Sequence, residues 1–210
     1  MNYYQDISLL PDADIALGFL WHKVYQQVHI ALVEQKIDEQ HSAIAVSFPE
    51  YNSRSFPLGS KLRVLANSQS QLEKLNLAKH LKRLQDYTHL KSIQPVPDSK
   101  TWVAFVRKHI KGQARVNKDT VEKAILWSKQ SGQELDVCLQ QLQKSQPKVG
   151  SKLPFIWLES QETRAKNPSG STRFPLFIER IELAAEQEGR FNCYGLSAQR
   201  GTQITSVPHF

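Results

Sequence analysis

The sequence predicts an α+β fold in two parts. The first is a β-α-β-β-α-β unit over residues 1–98, and the second is an α/β half over residues 99–210 with a short antiparallel sheet. Three observations predict it. Apolar residues recur with helical spacing in two long stretches of the first part, flanked by short runs that alternate as strands do. Their order is that of the ferredoxin-like split unit. Beyond residue 98 the pattern is less regular, and the strand-like runs are separated by Gly, Pro and polar turns.

Taken in order, residues 2–10 alternate weakly and stop at Pro11-Asp12, a first strand. A helix follows from Asp14 to Lys36, with Leu17, Leu20, Val24, Val28, Ala31 and Leu32 on its apolar stripe. His41 to Pro49 reads as one strand, Ala43-Ile44-Ala45-Val46-Ser47-Phe48, stopped by the proline. Lys61-Leu62-Arg63-Val64-Leu65 alternates like a half-exposed strand. Ser68 or Ser70 caps a second helix running to about Tyr87 on Leu72, Leu75, Leu77, Leu81 and Leu84. His89 to Val96 closes the unit with a short strand.

In the second half, Thr101 to His109 is a strand, and Asn117 or Asp119 caps a helix to about Lys129. Ser131-Gly132 breaks that helix, and a Gln-rich one runs to about Lys144. Ser145 to Lys152 is a linker and Arg164 to Ser171 a polar loop. Leu153 to Glu159, Arg173 to Glu182 and Gly189 to Tyr194 are strands. The last runs into Gly195-Leu196-Ser197, a tight turn where glycine supplies φ > 0 or lets another backbone come close.

Composition narrows the function. A net charge of +7 and a pI near 9.4 favour an anionic partner. The charge is concentrated: Lys100, Arg107, Lys108, Lys111, Arg115 and Lys118 occur with no Asp or Glu among them, and His109 adds a further donor. Cys138 and Cys193 have no paired or metal spacing, which suits a reducing cytoplasm. No apolar run reaches membrane-spanning length, and the N-terminal residues lack the order of a signal peptide. There is no Walker loop, no Gly-x-Ser-x-Gly elbow, no paired cysteines and no Asp-rich cluster. Serine hydrolases, nucleotide enzymes and metal nucleases are disfavoured, and no cofactor is expected.

Four side chains stand out. His29 lies one step off the apolar stripe of the first helix, in a row with His22, Tyr25 and Val33. It reads either as a half-buried interface histidine or as a general base. Ser160 ends a strand, as a cap or as a group that orients a substrate hydroxyl. Phe174 opens a strand after the basic loop of Arg164, Lys166 and Arg173, as core or as a platform for a nucleobase. Tyr194 precedes the glycine turn.

These residues together resemble the CRISPR-associated endoribonuclease of type I-F systems. The resemblance lies in Tyr4-x-Asp6-Ile7-x-Leu9-x-Pro11-Asp12, His29-x-Ala31-Leu32-Val33 and Val46-Ser47-Phe48-Pro49 near one end. Near the other it lies in Leu153-Pro154-Phe155, Ser160-Gln161, Arg173-Phe174-x-Leu176-Phe177-Ile178, Cys193-Tyr194-Gly195-Leu196-Ser197 and Phe210. It implies that His29 helps deprotonate a ribose 2′-hydroxyl, Ser160 positions that hydroxyl, Tyr194 orients the histidine and Phe174 stacks at the foot of an RNA hairpin. The implied reaction is metal-independent cleavage of CRISPR repeat RNA at the 3′ base of a stem-loop. It leaves a 2′,3′-cyclic phosphate and a 5′-hydroxyl, with the hairpin held afterwards beside other subunits of a surveillance complex.

The middle departs from the family's pattern. Its arginine-packed helix corresponds here to Asp119 to Gln130, with only Lys123 and Lys129 as cations and apolar Val121, Ala124, Ile125, Leu126 and Trp127, which predict a partly buried helix. RNA contacts are therefore assigned to Arg107, Lys108, Lys111, Arg115, Lys118, Lys123, Arg164, Lys166 and Arg173, with Arg107 and His109 at the base-reading positions. Glu162 stands where a second serine sometimes sits. The alternative is an RNA-hairpin-binding subunit in which cutting is vestigial. A DNA-binding module is a third reading, without a helix-turn-helix or zinc signature.

Overall fold

The computed structural model describes residues 1–54, 56–98, 100–110, 112–144, 152–160, 172–198 and 203–210. The chain forms two compact units, Met1–Lys108 with Pro154–Phe210, and His109–Leu153. The sequence division after residue 98 follows the end of the β-α-β-β-α-β order. The compact grouping follows contacts, and so takes in the next strand and the chain after residue 153.

The first unit opens with β1 (Tyr3–Leu9) and α1 (Leu17–Glu34), continues through β2 (His41–Ser42), β3 (Ala45–Ser47) and β4 (Lys61–Ala66), and then α2 (Gln69–Leu75) and α3 (Leu77–Leu81). A 3₁₀ segment, Lys82–Tyr87, leads into β5 (Thr88–Leu90) and β6 (Gln94–Pro95). The strand order is β3-β4-β1-β5, antiparallel throughout, with β6 also on β1. Each helical crossover skips one strand, which is the ferredoxin-like arrangement. One face of α1 supplies the core with Leu20, Trp21, Val24, Tyr25, Val28, Ala31 and Leu32.

Four local readings are corrected, three of them by side-chain hydrogen bonds and one by a left-handed residue. The first helix begins at Leu17 rather than Asp14, because the Asp12 carboxylate accepts the N–H groups of Asp14 and Ile15 and holds a turn. The strand expected over 41–49 splits in two. Ser42 Oγ accepts the Ile44 N–H, and the chain changes sheets, β2 pairing with β10 (Phe191–Asn192) and β3 with β4. The helix expected to reach Tyr87 breaks at Asn76, which adopts a left-handed φ of 46°. The strand expected over 189–194 ends at Asn192, whose side-chain oxygen accepts the N–H groups of Tyr194 and Leu196.

A second sheet has the order β11-β7-β9-β8, built from β7 (Thr101–Lys108), β8 (Phe155–Glu159), β9 (Arg173–Leu183) and β11 (Val207–His209). Its edge strand β8 runs beside α1, and helix side chains satisfy the strand's outer backbone groups. His22 Nδ1 donates to the Trp157 carbonyl at 2.7 Å. The Gln26 amide accepts the Glu159 N–H at 2.9 Å and donates to the Glu159 carbonyl at 3.3 Å. Gln26 thus does for β8 what a neighbouring strand would do.

The first sheet also carries a buried ion pair. Asp6 on β1 and Arg63 on β4 are register partners, and the guanidinium meets the carboxylate through two hydrogen bonds of 2.7 and 3.0 Å. Its third contact donates to the Phe210 carbonyl at 3.0 Å. The rings of Tyr4 and Phe210 flank the guanidinium at 4.5 and 3.9 Å.

The second unit is a helical hairpin, α4 (Gln113–Ser131) and α5 (Leu135–Lys144). Gly132 turns it with φ 70°, donating to the Ser128 carbonyl, as a C-terminal glycine does. The α4 helix starts earlier than Asn117 or Asp119. Among its described side chains the buried ones are Val116, Thr120 and Ala124, one helical row, while Val121, Ile125 and Leu126 are exposed, so much of the apolar set expected inside lies outside.

Candidate active site

Three side chains in one row of α1 reach three backbone carbonyls. His22 takes that of Trp157, Tyr25 Oη donates to that of Tyr194 at 2.8 Å, and His29 Nδ1 lies 3.0 Å from that of Cys193. The spacing of three and four residues puts them above one another. The row stitches one helix to the end of β8 and to the turn after β10.

The turn is built for that contact. Gly195 has φ 72°, and a Cβ there would lie 2.5 Å from Val46 Cγ2 and 3.2 Å from Leu32 Cδ1. Its carbonyl accepts the Val46 N–H at 2.8 Å. Both uses of glycine expected from the sequence, positive φ and close approach, occur at this residue. Because residues 193 and 194 lie in a turn rather than a strand, their carbonyls are open to α1.

A carbonyl only accepts, so His29 Nδ1 carries the proton and Nε2 is the basic nitrogen of the neutral ring. Burial disfavours the imidazolium and lowers the His29 pKa below its usual value; the Cys193 carbonyl opposes this and the Arg107 charge adds to it. The ring stacks on Tyr194 at 4.5 Å between centroids, nearly parallel at 14°. Arg107 from β7 lies over the Tyr194 ring at 4.9 Å and over the Phe174 ring at 5.5 Å. Phe174 meets Tyr194 edge-on at 6.4 Å. Burial pushes both the Tyr194 phenol and the Cys193 thiol up, so both are neutral at pH 7.

His29, Ser160, Phe174, Cys193 and Tyr194 line one groove of about 440 Å³. Gln26 lines it too and fixes Glu159, the residue before Ser160. Glu34 and Glu39 border it at and beyond the C-terminal end of α1, while Arg107 is held against the aromatic pair. Among the described residues, no group of three His, Cys, Asp or Glu side chains is placed to hold a metal ion.

The basic residues named from sequence fall into different states. Lys108 is bound to Glu179 at 2.8 Å, and within α4 Arg115 pairs with Asp119 and Lys118 with Glu122. Such surface pairs are worth little and release easily to a phosphate. His109 and Lys123 are exposed, and Arg173 is exposed with its guanidinium over Trp157. Lys111, Arg164 and Lys166 lie outside the described residues. Sequence reasoning missed Gln26 and the Cys193 carbonyl. The alternation of β8 fixes neither which helix side chain covers its edge nor where the turn carbonyls point.

The family described as CRISPR-associated protein (Cas_Csy4) matches residues 4–210. A protein of Pseudomonas aeruginosa named CRISPR-associated endonuclease Cas6/Csy4 is 30% identical over 202 residues, 94% of this chain and 96% of that one. One of the same name from Escherichia coli is 28% identical over 200 residues, with coverage of 94% and 96%. A solved structure of an RAMP protein binding different RNA substrates superposes with a TM-score of 0.38 and 12% identity, covering 99% of this chain and 100% of that one, too loosely to carry an argument.

Proposed function

Since this chain belongs to the Cas_Csy4 family of CRISPR-associated proteins, we propose that it is an endoribonuclease cutting CRISPR repeat RNA at the 3′ base of a stem-loop. The observation that carries the reading is His29, neutral, with Nδ1 committed to Cys193 and Nε2 basic, in a groove shared with Ser160, Phe174 and Tyr194. In this mechanism Nε2 takes the proton of the ribose 2′-hydroxyl at the cut. The 2′-oxygen attacks its own phosphorus, the bond to the 5′-oxygen breaks, and the leaving 5′-oxygen takes up a proton that balances the one gained at Nε2. A 2′,3′-cyclic phosphate and a 5′-hydroxyl result. The nucleophile and phosphate are already joined, so alignment supplies much of the rate.

Ser160 is assigned the 2′-hydroxyl, Tyr194 the orientation of His29 through ring stacking, and Phe174 the base at the foot of the stem. Residues 1–98 carry the base, and residues 99–210 complete the site and bind the stem through Arg107, Lys108, His109, Lys111, Arg115, Lys118, Lys123, Arg164, Lys166 and Arg173. The cut hairpin stays bound, capping the 3′ end of a guide RNA within a cytoplasmic type I-F surveillance complex. No described helix is long and apolar enough to cross a membrane. No step in the mechanism uses a metal. Incubated in EDTA with hairpin repeat RNAs, the protein should make one cut at the stem base, and a 2′-deoxy residue there should block it. Cutting of the deoxy substrate would overturn the mechanism. Tight binding of one hairpin without any cut would move the assignment to an RNA-capping subunit.

Gln26 positions rather than reacts. Gln26→Ala should lower kcat by about 10- to 100-fold with little change in KM, because the end of β8 drifts from α1 and misaligns Ser160. Gln26→Glu, which keeps the acceptor to the Glu159 N–H, should recover part of the loss. An unchanged kcat in single-turnover measurements would reject this role.

A further inference from the structure

Resting on that proposed reading, we propose that a second, basic groove on the helical side of the ferredoxin-like unit binds the RNA strand that follows the cut. It has a volume of about 510 Å³ and lies between α1 and the segment formed by α3 and the 3₁₀ turn. Lys23 from α1, Lys79 from α3, and Lys82 and Arg83 from the turn line it. All four are exposed, and among the described residues none is in an ion pair. The one carboxylate in the lining, Glu34, is 3.6 Å from His80 Nε2. Four cations without a carboxylate partner facing one cleft repel one another, and an anionic strand relieves that repulsion.

Continuity with the active-site groove selects the occupant. Glu34 borders both grooves, and between Lys23 and Glu34 the same helix ridge carries Gln27 and Ile30, with Gln27 facing one groove and Ile30 the other. A strand leaving His29 need cross only α1 to reach the lysines. The stem lies before the cut, so the strand that crosses is the single-stranded 3′ flank. The groove is assigned its phosphodiester backbone, read by charge and without base specificity.

The test is a repeat hairpin RNA with a 2′-deoxy residue at the cut and an oligouridine tail of one or eight nucleotides. Wild-type protein should bind the long-tailed RNA more tightly. The gain should fall by about eighteenfold between about 50 and 200 mM salt, as about three single-strand phosphates at a slope of about −0.7 each require. In the variant Lys79→Gln/Lys82→Gln/Arg83→Gln the two RNAs should bind alike, while cutting of a cleavable one-nucleotide-tail hairpin is unchanged. A wild type indifferent to tail length, or a variant that keeps the full gain, overturns the inference and leaves the proposed activity standing. If the hairpin is neither bound nor cut, the proposed function itself fails and the groove assignment with it.

Discussion

His29→Ala should reduce RNA cleavage by about 10²–10⁴-fold, the usual worth of a positioned base, while hairpin binding stays near the wild-type level. The reason is the division of labour in the groove. The imidazole touches Tyr194 and the Cys193 carbonyl, whereas the cations assigned to phosphates are on other elements. The pH profile gives a second readout. Burial first, and Arg107 in addition, lower the His29 pKa, with the Cys193 carbonyl opposing them. In the proposed mechanism the active form is the neutral ring, so kcat/KM should hold as pH falls to 6.5 and drop only as pH passes through a pKa below that value. Arg107→Met removes one of the lowering causes and should move this acid limb upward. An alanine variant that loses binding as steeply as cutting would make His29 a structural residue, and an acid limb above 6.5 would contradict its burial as a neutral base.

Arg63→Met should be the most destabilising single change, by about 3–5 kcal/mol, because it leaves the Asp6 carboxylate buried without its partner. Asp6 is 4% exposed and Arg63 5%, so solvent cannot replace the pair. The change also removes the bond to the Phe210 carbonyl and the cation between the Tyr4 and Phe210 rings. The double variant Asp6→Leu/Arg63→Met should recover most of the loss, since apolar replacements of a buried pair are often neutral. Urea unfolding of the three proteins measures this directly. A loss below about 1 kcal/mol for the single variant would mean that the pair is dispensable. Cleavage at low temperature should survive both variants, because Arg107 lies at the other end of β7 from the pairing with β11.

The order of elements in the ferredoxin-like unit is legible in the chain alone, because helical and strand periodicities are local and each apolar stripe records its own buried face. The sequence also marked His29, Ser160, Phe174 and Tyr194, and picked out Tyr4, Asp6 and Phe210 without a reason for them. The reason is tertiary. Those three meet around Arg63, on a strand whose alternation says nothing about its partners. Element ends were misread where the short polar side chains of Asp12, Ser42 and Asn192 bond nearby backbone, since such bonds compete with helix and strand and leave no period. The last of these decides the site. The Asn192 turn exposes the Cys193 carbonyl, which fixes the proton on His29 Nδ1 and leaves Nε2 as the basic nitrogen. A residue's type is written in the chain; which of its two nitrogens is free depends on an atom 164 positions away.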